Sequence, residues 1–128
     1  MSGNKAPGFA QHPDHRVVVT PEKAHVRVTV DGVVVADSQR TLRLEESKYP
    51  AVHYIPRSDV RMDLLARTEH KTRCPFKGEA SYYSLKSGGN TIENAVWTYE
   101  TPYDEVLPIK EHVAFYPSKV DSIRVDPA

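Results

Sequence analysis

Alternation of apolar and polar residues, rather than helical periodicity, organises most of this chain. The strongest stretch runs over residues 26–36. There Val26, Val28 and Val30 alternate with Arg27 and Thr29, and Asp31-Gly32 precedes Val33-Val34-Val35. Asp-Gly between β-branched runs predicts a two-residue hairpin, because both turn residues must take positive φ. Such a loop fixes the register, with Val30 opposite Val33, Val28 opposite Val35 and Arg27 opposite Ala36. Val26, Val28, Val30, Val33 and Val35 then share one face and are expected in the core, while His25, Arg27 and Thr29 share the other.

Other segments follow the same logic. A β-branched run at 17–20 stops at Pro21, Leu42 and Leu44 point inward within 41–45, and 49–55 reads as a strand ended by Pro56. Residues 58–66 form the best helix candidate. Ser58 suits the first-turn amides, Asp59 suits the positive end of the dipole, and Val60, Leu64 and Leu65 make one stripe. The second half predicts strands at 68–73, 79–85, 94–100, 113–116 and 122–125, with a short helical turn at 104–107. Pro75 and Gly78 shape the turn at 74–78. About nine short strands, one helix and no βαβ alternation predict a mostly β fold, an antiparallel sheet closed or folded as a small barrel or sandwich. Residues 1–14 read as a flexible polar tail, leaving a single domain over 15–128.

Charge and cysteine usage narrow the function classes. Lys plus Arg (17) equals Asp plus Glu (17), so the basic excess typical of duplex binding is missing. Nucleic acid is a disfavoured partner, kept only as single-strand binding through stacked tyrosines. The single cysteine, Cys74, forbids an internal disulfide and a Cys-rich zinc site. Residues 1–11 lack the apolar core of a signal peptide and no apolar run approaches membrane length, so the cytoplasm is the expected location and no membrane partner is expected.

Several segments carry a family likeness. They are residues 33–38 (Val-Val-Val-Ala-Asp-Ser) with Leu42-Arg43-Leu44-Glu45, residues 54–60 (Tyr-Ile-Pro-Arg-Ser-Asp-Val) and residues 74–82 (Cys-Pro-Phe-Lys-Gly-Glu-Ala-Ser-Tyr). Residues 95–99 (Ala-Val-Trp-Thr-Tyr) and 113–116 (Val-Ala-Phe-Tyr) complete the set. In this order, across about residues 25–125, they resemble the bacterial family called domain of unknown function 427. The resemblance implies a compact all-β domain. The family is sometimes labelled nucleotidyltransferase-like. Nucleotidyl transfer needs clustered carboxylates for a divalent metal and a loop that cradles phosphate. Asp59 and Asp63 are the only carboxylates at i, i+4 in the expected helix, no Asp-x-Asp occurs, and Gly88-Gly89 opens no helix. No metal site and no cofactor is predicted.

Candidate chemistry gathers at turns and strand ends. Arg73 and Lys77 flank Cys74, and nearby cations favour a reactive thiolate. His53, His70 or His112 could act as its base, and a small buried hydrophobe is the competing reading of Cys74. Glu45 is the other candidate reactive group, against an ordinary solvated carboxylate. Around Pro56, Tyr54, Arg57 and Asp59 could hold an anion, with Lys77 joining if the two loops converge. An internal Arg57 ion pair is the plainer reading. Tyr82, Trp97 and Tyr99 supply apolar bodies with one donor each, suited to a pocket wall or to the core. The leading expectation is an uncharacterised domain that binds, or acts on, a small polar or anionic molecule in a β cleft. The alternative is a non-catalytic interaction module or a homodimer pairing an edge such as 17–20.

Overall fold

The computed structural model describes residues 4–127. Ten strands form two antiparallel sheets. The larger contains, in spatial order, β1 (Val17–Pro21), β4 (Leu42–Glu46), β5 (Val52–Pro56), β9 (His112–Phe115), β8 (Asn90–Tyr99), β7 (Gly78–Ser87) and β6 (Leu65–Cys74). The smaller contains β10 (Ser122–Pro127), β2 (Ala24–Val30) and β3 (Val33–Ser38). Strands β1 and β6 remain edges, so the large sheet does not close into a barrel.

The small sheet packs on one face of the large one. Val26, Val28, Val30 and Val35 meet Ile55, Tyr83, Leu85, Val96, Val113 and Phe115 in a single apolar cluster. The Asp31-Gly32 turn forms as expected, with φ of 50° and 77°. The register beyond it is corrected by a bulge. Thr29 pairs with Val34 but Val28 pairs with Ala36, leaving Val35 as the extra residue. Two neighbours, Val35 and Ala36, are therefore both buried, while Val33, expected in the core, is 44% exposed. A bulge of this kind re-aims side chains on the bulged strand.

The helix expected over 58–66 does not form. Arg57–Asp59 and Met62–Leu64 are separate 3-10 turns, and Leu65 already belongs to β6. Between them Val60 is extended and bridges Ala36, and the Arg61 amide donates to the Val35 carbonyl at 2.8 Å. Backbone groups committed to β3 cannot close helical hydrogen bonds. The apolar stripe was real all the same, since Val60, Leu64 and Leu65 pack on the main core.

The segment read as a flexible tail is docked over its described part. It carries a short α-helix, α1 (Gly8–Gln11), the one α-helix among the described residues. Asn4 bonds to Pro102 and Asp104, the Ala6 amide donates to Glu105, and the Gly8 amide donates to the Pro75 carbonyl at 2.9 Å. Its polar composition hid this because the anchors are backbone amides, the Asn4 side chain and one aromatic, Phe9, set edge-on to Phe76.

Burial sets up a contrast between two valines of this hairpin, Val28 sealed and Val33 44% exposed. Val28→Ala is expected to lower the unfolding free energy by about 2 kcal/mol, and Val33→Ala by less than about 0.5 kcal/mol. Urea unfolding of both variants checks this, and equal losses would contradict the burial of Val28 and the exposure of Val33.

Candidate functional site

The second face of the large sheet carries the candidate chemistry. Strand register places Glu46 and Leu44 on β4 beside Val17 and Val19 on β1, and Leu44 and Leu42 opposite Val52 and Tyr54. Further along, Trp97 on β8 lies between Ala114 and Tyr82, and Ala80 lies between Tyr99 and Thr72. Cys74 follows at the end of β6. All of these except Glu46 and Thr72 form, with Tyr116, one cluster. Val106 and Ile109, fully buried in the 3-10 segment Asp104–Ile109, pack into the same cluster.

The face is apolar in its walls and phenolic in its polar groups. Trp97 Nε1 donates to the Tyr54 hydroxyl at 3.1 Å, and their rings meet edge to face. The Tyr82 hydroxyl lies 2.8 Å from Thr72 Oγ1 and 3.4 Å from the Tyr116 hydroxyl. His70 packs on the Tyr82 ring at 4.5 Å. No side-chain polar atom sealed from solvent lacks a partner among the described residues. The Tyr99 hydroxyl bonds to no protein group among the described residues, and the residue is only 6% exposed.

Burial keeps these phenols protonated. It pushes Tyr99 well above the ordinary tyrosine value, helped by the nearby Tyr54, Cys74, Tyr82 and Glu46. It does the same to Tyr54, against the opposing effect of the Trp97 hydrogen bond. Tyr116 is pushed up to about 12, first by burial and then by the Tyr82 hydroxyl. At neutral pH each is a hydrogen-bond donor, not a phenolate.

One end of the face is closed by an ion cluster. Lys77, in the turn between β6 and β7, forms a salt bridge with Glu46 on β4. Glu46 also meets His15 Nε2 at 2.8 Å, and all three side chains are largely buried. The His15 ring stacks on Phe76 at 3.8 Å. Burial pushes the Glu46 carboxyl upward, but hydrogen bonds from Lys77 and His15 outweigh it and hold the group below its ordinary value of 4.5. Contact between β4 and the far turn requires the large sheet to curl about the phenols.

Six of the residues singled out from the sequence therefore come together: Tyr54, Cys74, Lys77, Tyr82, Trp97 and Tyr99. Three do not. Arg57 lies over the Tyr83 ring, which packs in the opposite core, so the condition for a joint anion site, convergence of Arg57 with Lys77, is not met. Asp59 binds Arg40 at 2.9 Å and accepts from Ser38, and the Arg40 hydrogen bond holds its carboxyl below the usual range. Glu45 faces away from Leu44, is largely exposed and pairs with Arg43 at 3.7 Å.

The thiol is in place without the surroundings expected of a nucleophile. Cys74 is half-buried and makes no hydrogen bond among the described residues. Its flanking cations are committed, Lys77 to Glu46 and Arg73 to Glu79 and the Tyr103 hydroxyl. Of the candidate bases, His53 pairs with Glu22 and His112 with the Lys110 carbonyl, while His70 packs on the Tyr82 ring and makes no hydrogen bond to Cys74 among the described residues. Glu46 and His15 were missed by sequence reasoning. Alternation did offer a signal for Glu46, which shares the inward parity of Leu42 and Leu44. Nothing local marks His15.

Two measurements probe this end. The lowered Glu46 value means its contribution to stability is complete above about 4.5 and is lost as pH falls through the folded-state value. Glu46→Gln is expected to be less stable at pH 7 than the native chain, with the gap closing towards pH 3. A gap independent of pH in urea unfolding would contradict the ion cluster. Gly8→Ala would set a Cβ 2.7 Å from the Phe76 ring and 2.9 Å from the Pro75 carbonyl. The crowding is expected to cost about 1–3 kcal/mol, and a neutral effect by the same assay would show that the N-terminal segment is not seated there.

Comparison with known proteins adds the family. No curated protein matches the chain. Residues 18–126 match the family model described as a domain of unknown function (DUF427). The segments 54–60, 74–82, 95–99 and 113–116 contribute Tyr54, Cys74, Lys77, Tyr82, Trp97, Tyr99 and Tyr116 to the phenolic end of the fold. With the match covering most of its length, the chain belongs to the DUF427 family.

Proposed function

We propose that this domain binds a small polar or anionic molecule on the phenolic face of its large sheet, between the Glu46–Lys77 pair and the Tyr82–Tyr116 pair. One observation carries the reading. Tyr99 holds a protonated hydroxyl in largely apolar surroundings, without a protein acceptor among the described residues. A donor so placed favours a ligand oxygen, and a hydrogen bond there is strengthened by the low local polarity. The balance of charge favours a compact ligand with oxygen acceptors over a multiply charged one. Lys77 already has its counter-ion in Glu46, so an entering anion competes for an occupied ammonium group.

Binding rather than chemistry is the better-supported role, because Cys74 has no hydrogen-bonded base and Glu45 faces away from the site. A reducing compartment such as the cytoplasm suits a chain whose one thiol is unpaired. No helix is long and apolar enough to cross a membrane among the described residues.

Trp97 is the only tryptophan, so its emission reports on this face. Titration with a panel of small carboxylic acids, amides and inorganic phosphate is expected to give a saturable change for at least one compound. Tyr99→Phe should weaken that binding by about tenfold or more, whereas Tyr49→Phe, at a position 68% exposed, should leave it unchanged. A flat emission signal across the panel, or equal affinities for the native and Tyr99→Phe chains, would count against this site.

A further inference from the structure

Residues 4–15 precede the 18–126 stretch matched to the family, and they hold the end of the fold where the phenolic site lies. Their anchors fall next to site residues in the chain. The Gly8 amide donates to the carbonyl of Pro75, the neighbour of Cys74. Asn4 Nδ2 donates at 3.2 Å to the carbonyl of Pro102, three residues beyond Tyr99. His15 meets Glu46, whose charge is near enough to help push Tyr99 upward.

The hold centres on one ring. Phe76, in the turn that carries Lys77, is only 9% exposed. Phe9 meets it edge-on at 5.0 Å, and His15 stacks on it at 3.8 Å. Away from that ring the segment does not pack flush. Hollows of about 570 and 290 Å³ border it, and His15 lines both. One reaches Ser47 and Tyr49, the other Val18 and Glu105. A segment held by a few hydrogen bonds and one aromatic contact, with unfilled space beside it, opens at lower cost than the strands beneath.

We propose that residues 4–15 form a strap that gates the phenolic site: lifting it frees the Phe76 turn and admits solutes to Tyr99 and Cys74. Its purpose rests on the reading of that face as a ligand site, but the opening itself needs no ligand. Access to a donor as enclosed as Tyr99 then follows the motion of the strap.

Cys74 is the only cysteine, so thiol labelling reads this opening at one place. The probe is iodoacetamide on the folded full chain, at fixed pH and in urea well below the unfolding transition. The native thiol is expected to react about tenfold or more slowly than in the unfolded chain, at a rate nearly independent of low urea, as a local opening requires. Phe9→Ala should speed labelling by about tenfold, and Asn4→Ala, the milder change should the first variant fail to fold, by about threefold. Val33→Ala, on the small sheet, should leave the rate unchanged. The strap is overturned if neither of its variants changes the rate, if the native thiol reacts as fast as the unfolded one, or if labelling follows the urea dependence of global unfolding. Faster labelling in the strap variants, beside a flat Trp97 titration, would remove the proposed ligand and uphold the strap.

Discussion

The contact between Glu46 and Lys77 is the constraint on which the candidate site depends. The two residues belong to opposite ends of the large sheet, one on β4 and the other in the turn joining β6 to β7. An ion pair that is largely buried forms at a desolvation cost and needs further hydrogen bonds to offset it. His15 supplies one, and its own ring is held by stacking on Phe76. The result is a strongly curled sheet that stops short of a closed barrel. Inside the curl, side chains from all seven strands of the large sheet face one another instead of facing water.

That curl separates two kinds of tyrosine. Tyr54 is 1% exposed, accepts from Trp97 and packs with Leu44 and Ala114, which makes it part of the framework. Tyr82 is anchored at its hydroxyl by Thr72 and Tyr116. Of the tyrosines in this cluster, Tyr99 is the one whose hydroxyl has no partner among the described residues, and this difference singles it out as the group available to a ligand. The same reasoning lowers the standing of Cys74 as a nucleophile. A thiol without a hydrogen-bonded base, beside cations already neutralised, has no evident means of activation.

Much of the fold was legible in local patterns, and the failures have particular causes. The valine alternation and the Asp31-Gly32 turn identified the β2–β3 hairpin, because period and turn chemistry act over a few residues. The bulge at Val35 was invisible, since it is imposed by Val60 and Arg61 bonding to β3 from elsewhere in the chain. That same long-range pairing overrode a helix stripe that was otherwise well formed. Aromatic residues of the candidate site were found because Trp97 and Tyr99 share strand parity and Cys74 closes a recognisable turn. Arg57 and Asp59 misled because a polar cluster beside a proline looks the same in sequence on either face of a sheet. Glu46 required knowing that the sheet curls, which no local pattern records.

The curl and its ion pair are tested most directly by a double-mutant cycle on Glu46→Gln and Lys77→Met, read by urea unfolding. Side chains that interact directly show coupling of about 0.5–3 kcal/mol. A favourable coupling within that range, with Trp97 emission altered in each single variant, is the expected result. Strict additivity of the two substitutions, with the emission unchanged, would mean that β4 and the β6–β7 turn do not meet, and the phenols would then have no enclosed face to share.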